Sequence, residues 1–321
     1  MEDYPRTLLE LERRFANEQQ CRDYLSALRW PTGFRCPRCG ADRAWQTHRG
    51  LWLCAACRGQ SSVTAGTIFA QSNLPLTLWM RAIWQVVSQK NGASALGLQR
   101  VLGLGSYRTA WSLLHKLRRA MIRPGREALS GLVEVDETYI GAVAPGHEGR
   151  RLGGRALVVA AAEAEGQGLG RIRLRRLSSP NIEQLLGFVS EVVAPGTVVR
   201  TDGWSCYGGL PARGYPHEVR MVGGRPAEAS RLLPRVHLVF SLLKRWLLST
   251  HQGAVARSHL DYYLDEFTFR FNRRRSASRG KLFYRLLQQA VVLDPHPYTS
   301  LRGGRPDGPN HHPLGSVERS A

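Results

Sequence analysis

The sequence predicts a mixed α/β domain in the second half of the chain, behind a small cysteine-pinned module and a helical region. Three observations carry this. Four of the six cysteines fall in two Cys-x-x-Cys pairs, Cys36/Cys39 and Cys54/Cys57. Between residues 76 and 121 apolar side chains recur at helical spacing, interrupted by Asn91-Gly92 and by Gly103-Leu104-Gly105-Ser106. From about residue 131 the period changes: LVEVDETYIG, ALVVAAAE and RIRLRRL read as strands, Ile182 to Val193 as a helix, and Thr197 to Arg200 as a fourth strand. Three consecutive strands, a helix and another strand make a mixed sheet with helices on its faces.

Residues 1–30 place Leu8, Leu9, Leu11, Phe15, Cys21, Tyr24, Leu25 and Leu28 near helical spacing, so one or two amphipathic helices are expected before Pro31-Thr32-Gly33. The segment MEDYPRTLLELERRF is acidic and polar where a secretory signal would be basic and then apolar. No stretch approaches the ~20 apolar residues of a membrane span. A cytoplasmic protein is expected.

In residues 31–66 the two cysteine pairs stand fourteen residues apart. Two knuckles offering two thiolates each form a closed tetrahedral site, the arrangement of a structural zinc ribbon. Gly40 and Gly59 follow the pairs where the chain must turn tightly. His48 is nearby, but four cysteines already fill the shell. Trp45 and Trp52 are expected to supply the module's small hydrophobic face, with stacking on nucleic-acid bases as the alternative. Cys21 and Cys206 stand alone and read as small packing residues.

Residues 67–126 resemble a helix-turn-helix: a short helix from Ser94 to Leu102, a glycine turn, then a helix from Tyr107 to Met121. In that arrangement Tyr107, Arg108 and Thr109 would reach base edges, and Lys116, Arg118 and Arg119 would hold phosphates. An ordinary helical hairpin filling a core is the competing reading. The charge balance favours the first. With 45 Lys plus Arg against 25 Asp plus Glu, the net charge is +20, dominated by arginine, and predicts attraction to a polyanion.

Within residues 127–290, Asp136 and Asp202 emerge from short apolar runs, in LVEVDETYIG and TVVRTDGWSCY. Two carboxylates leaving buried strands in a basic protein suit a divalent cation held against a nucleic-acid phosphate, and oxygen ligands favour Mg²⁺. Two long helices are expected near 236–249 and 258–272. Residues 291–321, rich in Pro, Gly, His and Arg, are expected to be a disordered tail.

Five blocks in order, CPRCG with CRGQSSVTAGTIFAQSNLPLTLWMRAIW, VLGLGSYRTAWSLLHKLRRAM, VEVDETYIG, TDGWSCY, and HLVFSLLKRWLLSTHQG with HLDYYLDEFTFRFNRR, resemble the zinc-ribbon insertion-sequence transposases of bacteria. The resemblance covers about residues 5 to 275. It implies an RNase H-like catalytic domain of the DDE superfamily, metal-dependent strand cleavage and strand transfer, and double-stranded DNA as partner, both the element's terminal repeats and the target. It also implies a homo-oligomer when two ends are brought together.

The family's first and second acids fall on Asp136 and Asp202. Its variable third position and the lysine two helical turns later fall on His237 and Lys244. A seven-residue interval puts His237 and Lys244 on one helix face. Imidazole adds no negative charge and prefers borderline metals, so Mn²⁺ is expected to serve at least as well as Mg²⁺. Lys244 would hold a phosphate as a point charge. Glu134, on the strand face of Asp136, is a candidate auxiliary ligand. Glu266 is the rival third acid, and Arg273, Arg274 and Arg275 are candidate DNA-backbone contacts. The competing function is an inactive or domesticated DNA-binding protein or repressor that keeps the ribbon and the helices without the chemistry.

Overall fold

A computed structural model of the chain describes residues 2–123, 125–141, 155–221, 226–253 and 255–304. The elements before the main sheet are α1 (Leu8–Arg14), α2 (Glu18–Arg29), β1 (Ala44–Gln46), β2 (Trp52–Cys54), β3 (Gln60–Ser61), α3 (Leu76–Ser88), α4 (Ala95–Leu102) and α5 (Tyr107–Arg119). Then come β4 (Leu132–Ile140), β5 (Ala156–Glu165), β6 (Gly168–Leu177), α6 (Ile182–Val192), β7 (Val198–Thr201) and β8 (His217–Val219). The last helices are α7 (Pro226–Leu232), α8 (Pro234–His251), α9 (Leu260–Asn272), α10 (Arg279–Ala290) and α11 (Tyr298–Arg302). The chain divides into two compact units, Met1–Ile122 with Arg275–Gly303, and Arg123–Arg274 with Gly304–Ala321.

In the first unit, local chemistry starts the helices. The side chains of Thr7, Asn17, Ser94 and Ser106 each accept from a backbone N–H in the first turn that follows. Gly103 ends α4 at φ +62°, a left-handed conformation that glycine adopts without strain. Strands β1, β2 and β3 form the antiparallel ribbon sheet. The apolar stripe of α3 carries Trp79, Ile83, Trp84 and Val87 into the core, where Trp84 and Phe15 both meet Phe283 of α10. Gly280 is required there, since a Cβ would lie 1.9 Å from the Pro5 carbonyl oxygen.

Helix α10 thus belongs with the N-terminal helices, whereas the sequence division placed it in the 127–290 domain. Its apolar positions declare a helix but not which core receives them. The tail expectation also changes over residues 291–303. Val291, Leu293 and Leu301 are buried, three apolar residues that a composition average hides among Pro, Gly and Arg. Residues 305–321 lie outside the described residues.

The second unit is built on one five-stranded sheet of order β6-β5-β4-β7-β8. Strands β4, β5 and β6 pair antiparallel; β7 runs parallel to β4, and β8 parallel to β7. Side chains alternate across it. One face sends Val158, Ala160, Ala162, Ile172 and Leu174 against Val236, Phe240 and Leu243 of α8 and Leu264 and Phe267 of α9. The other sends Val133, Val135, Val159 and Ala161 against Leu185, Phe188 and Val189 of α6. Two of the arginines that spoil the alternation of β6, Arg175 and Arg176, are buried and paired. Arg176 donates to Asp261 of α9 at 2.9 and 3.0 Å, while Arg175 pairs with Glu191 of α6 and lies over the Phe188 ring. Each guanidinium buries its stem along the sheet and finds a carboxylate on the covering helix.

Candidate active site and metal centre

Strand β4 places its acids by alternation. Glu134 and Asp136 face α8, and Glu137 faces the opposite core. The parallel register pairs Leu132 with Val198 and Glu134 with Arg200. Asp136 stands two residues past Glu134 and Asp202 two past Arg200, so both leave the same end of this parallel pair. Asp202 lies just past the end of β7, where Gly203 turns the chain at φ +86°. A Cβ on Gly203 would sit 2.7 Å from Val219 and 2.8 Å from Met221. That turn lets the Oδ1 of Asp202 accept from the Trp204 N–H at 2.9 Å.

Helix α8 supplies the third side chain. The Nε2 of His237 is 3.2 Å from the Oδ2 of Asp136, although the two are not aligned as a hydrogen bond. A ring nitrogen and a carboxylate oxygen at this distance are spaced like neighbouring ligands of one ion. An octahedron with bonds of 2.0–2.1 Å has edges of about 3 Å. The other carboxylate oxygen of Asp136 accepts from the Glu137 N–H at 2.8 Å. A buried Tyr207 donates to Glu137 at 3.0 Å. Its phenol is pushed well above its ordinary pKa by burial and by the charges of Glu137, Asp136 and Asp202, which together make this corner strongly negative. Sequence reasoning passed over Tyr207, whose one signal was its place in the TDGWSCY block.

The donor set therefore fits a divalent cation: two carboxylates on adjacent parallel strands and an imidazole already beside one of them. It is not closed. Among the described residues only the four cysteines bring three or more such ligand atoms within 4.8 Å of one another. Since Asp136 and His237 already meet, the carboxylate of Asp202 is the one that must move in.

Glu134 has a different part from the one its strand position suggested. It is fully buried and is the cap of α8, accepting from the backbone N–H groups of Arg235 at 2.7 Å and Val236 at 3.1 Å. Its second oxygen takes the Arg235 guanidinium at 2.9 Å. The helix has no side-chain cap of its own and begins with Pro234. The strand acid fills both roles, satisfying orphan donors and placing negative charge at the helix N-terminus. Both of its oxygens are engaged in this way, which opposes the auxiliary-ligand reading of Glu134. Its bonds fix α8 so that His237, one position on, faces Asp136.

Glu266 is also fully buried, paired with Arg270 at 2.8 Å on α9. Helix α9 packs on β6, two strands from β4, so Glu266 is not gathered with Asp136. Lys244 stands two turns beyond His237 and lines a cavity with Tyr139 and Ile140 at the end of β4. Its side chain is exposed by area, yet the packing around its ammonium lowers its pKa.

The ribbon centre is geometrically complete. Cys36 and Cys57 lie 3.7 Å apart and Cys39 and Cys54 3.6 Å. A tetrahedron with Zn–S bonds of 2.3 Å has edges of about 3.8 Å, so the four sulfurs fit zinc and are far from disulfide distance. Backbone N–H groups of Arg38 and Cys39 lower the Cys36 thiol to about 6, which favours the ligating thiolate. Phe34 stacks on Trp52 at 5.2 Å, and Trp30 closes on both. Trp45 does not join this face. Paired with Leu53 on the ribbon sheet, it is 46% exposed under the Arg58 guanidinium.

Of the expected DNA contacts, Tyr107 is exposed at the start of α5. Thr109 is folded back on Ser106, and Arg108 lies over the Tyr298 ring at 5.1 Å. Lys116 and Arg118 are buried, which overturns their assignment to phosphates. Lys116 donates to the Ala70 carbonyl at 3.2 Å, and Arg118 lies 3.4 Å from His115. Their helix is amphipathic with the cations on its inward face, a placement charge counting cannot detect. Arg119 meets His296 at 3.0 Å. Arg273 folds over the Phe269 ring, and Arg274 donates to the Leu169 and Gly170 carbonyls, fastening the end of α9 to β6. Arg275 is exposed.

Residues 128–272 match the family model described as an ISXO2-like transposase domain, and residues 16–60 the model described as a transposase zinc-ribbon domain. An uncharacterized protein in the transposable element ISH50 of Halobacterium salinarum is 28% identical over 138 residues, 42% of this chain. That match spans 46% of the relative, a little under half its length. Among solved structures, the simian T-cell lymphotropic virus intasome in complex with PP2A regulatory subunit B56 gamma aligns with 63% of this chain and 74% of its own at 12% identity. Its TM-score of 0.33 is too low to carry an argument. Among the described residues no helix is long and apolar enough to cross a membrane.

Proposed function

We propose that this chain, whose residues 128–272 and 16–60 match the ISXO2-like transposase and transposase zinc-ribbon models, is a zinc-ribbon insertion-sequence transposase of the DDE superfamily that cuts and joins DNA at Asp136, Asp202 and His237. One observation carries the reading: the two aspartates leave the same end of the parallel β4–β7 pair, and α8 delivers His237 to 3.2 Å from the first. The sheet order, a three-strand antiparallel meander continued by two parallel strands, supports an RNase H-like assignment.

In the proposed reaction an oxygen nucleophile attacks phosphorus in line while the opposite P–O bond breaks. Water is the nucleophile for cleavage, and the freed 3′-hydroxyl for joining. Asp136, Asp202 and His237 would hold Mg²⁺ or Mn²⁺, which would supply positive charge to the reacting phosphate. Asp136 is held in place by the Glu137 N–H, and Asp202 by the Trp204 N–H. Glu134 keeps the His237-bearing helix in register. Lys244, farther along the same helix, holds a flanking phosphate of the bound strand. Recognition of the terminal repeats belongs to the ribbon and to the α4–α5 pair as a helix-turn-helix, with Tyr107 at its exposed start. Two copies or more assemble when two ends are synapsed.

The test is a cleavage and joining assay on duplexes carrying the repeats that flank the gene, with Mg²⁺ or Mn²⁺. Wild type should cut and join, and Asp136→Ala and Asp202→Ala should lose both. Well-folded protein that cuts with neither metal sinks the reading. A second reading, DNA binding without chemistry, draws on the open donor set and the uncharged third ligand. It predicts end binding with no product under any condition.

A further inference from the structure

The second unit contains a cavity of about 540 Å³ at the C-terminal end of β4, within the range of pockets that take small ligands. Its wall is mostly aliphatic, with Leu247, Leu248, Val255 and Leu260, and Tyr139 adds a ring. Two cations line it, Lys244 and Arg257. Among the described residues no carboxylate pairs with either. Lys244 has no hydrogen bond there, and Arg257 has one long contact, 3.5 Å to the Ser178 carbonyl. A cavity with an apolar wall and two unneutralised cations complements an anion with a flat apolar body.

The place of the cavity narrows the choice. Lys244 follows His237 by seven residues on α8, about 10 Å along the helix axis. That distance is about three base steps of duplex DNA. We infer that the cavity receives one unstacked deoxynucleotide of the bound DNA end, its base against Leu247, Leu248 and Val255 and its phosphate between Lys244 and Arg257. Extruding one base near the cut has an unstacking cost of a few kcal/mol, offset by the apolar contact and the two charges. The consequence is register: the nucleotide held in the cavity fixes which phosphate lies at Asp136. This rests on the DNA-cutting reading, because the nucleotide is supplied by the bound end.

The experiment uses the full chain with Asp136→Asn to prevent cleavage. Duplexes carrying the flanking repeats bear 2-aminopurine at one of the terminal positions in turn, and a distant dye reports binding by anisotropy. A base leaving the stack for an aliphatic wall fluoresces more. At one position within about three base steps of the cut, the signal should rise several-fold on binding. Leu248 is 65% exposed, so Leu248→Trp fills the cavity mouth without disturbing the core. It should abolish the rise in duplex that anisotropy shows to be bound. Binding without a rise at any position overturns the inference, and so does a rise that Leu248→Trp leaves intact. If the wild-type chain binds no DNA, the DNA-cutting reading fails by itself. The cavity is then probed with free 2-aminopurine deoxyribonucleoside 5′-monophosphate: a fluorescence change lost in Leu248→Trp sustains the site as a nucleotide pocket, and no change refutes it.

Discussion

At the scale of single residues, the proposed site joins two aspartates to a histidine in place of an acid. Imidazole contributes a lone pair without charge, so a metal held there would be neutralised less completely than by three carboxylates. His237→Asp is expected to shift the preference from Mn²⁺ toward Mg²⁺ by restoring a hard oxygen ligand, read as the ratio of cleavage rates in the two metals. An unchanged ratio would place His237 outside the coordination shell. Lys244 carries a pH signature. Burial lowers its pKa from the ordinary 10.5, so the folded chain disfavours the ammonium. Between the lowered value and 10.5 the unfolded chain binds more protons, and this residue's contribution to stability rises with pH. The proposed phosphate contact would have the opposite trend, being lost as pH climbs through the lowered pKa. End affinity should therefore fall on the alkaline side below pH 10.5, and Lys244→Arg should remove that fall. Both aspartates were legible from their apolar flanks and their blocks. Glu134 was visible as a strand acid, but its partners are a hundred residues away in the chain.

At the scale of elements, two local devices hold the functional groups, and they differ in how openly the sequence states them. The ribbon is written in the spacing of its cysteines, since the ligands, knuckles and turns lie within one short segment. Cys36→Ser should lower bound zinc, measured as metal per chain, and weaken end binding together. Retained end recognition without zinc would separate the ribbon from that role. Helix α8 is the opposite case. Its own sequence offers Leu233 and Pro234 where a cap belongs, and the missing acceptor comes from β4. Glu134→Ala leaves two backbone N–H groups unmatched and takes the carboxylate from the half-buried Arg235 guanidinium, which keeps only the Gly166 and Gly168 carbonyls. Removing one partner of a buried ion pair costs about 3–5 kcal/mol, to be read from denaturant unfolding. Cleavage should fall as well, because His237 loses its register. A stability change under 1 kcal/mol would mean that the cap is not holding the helix. Amphipathic spacing announced α3, α4, α5, α6, α8 and α9, yet it was silent on which core α10 would join.

For the whole molecule, the charge of +20 predicts a DNA affinity that should fall steeply with salt, by about 0.9 in the log–log slope for each phosphate neutralised. Counting cations overstates that slope, because many are spent inside the fold. Lys116→Met tests the point: with its ammonium on the Ala70 carbonyl, the slope should stay unchanged, whereas a phosphate contact would reduce it by about 0.9. The sequence by itself determined what short-range chemistry specifies. That covers the cysteine quartet, the strand and helix periods, the two aspartates at strand ends, and the ordered blocks that mark the family. Only the tertiary structure decided which charges face inward and which strand acid caps a helix. It alone set β7 parallel to β4, so that Asp136 and Asp202 leave the same end of the pair, and it packed residues 291–303 against a core. Those outcomes depend on pairings between distant segments. A residue's sequence neighbours fix its backbone preference, whereas its charge acquires a role from whatever the fold places opposite it.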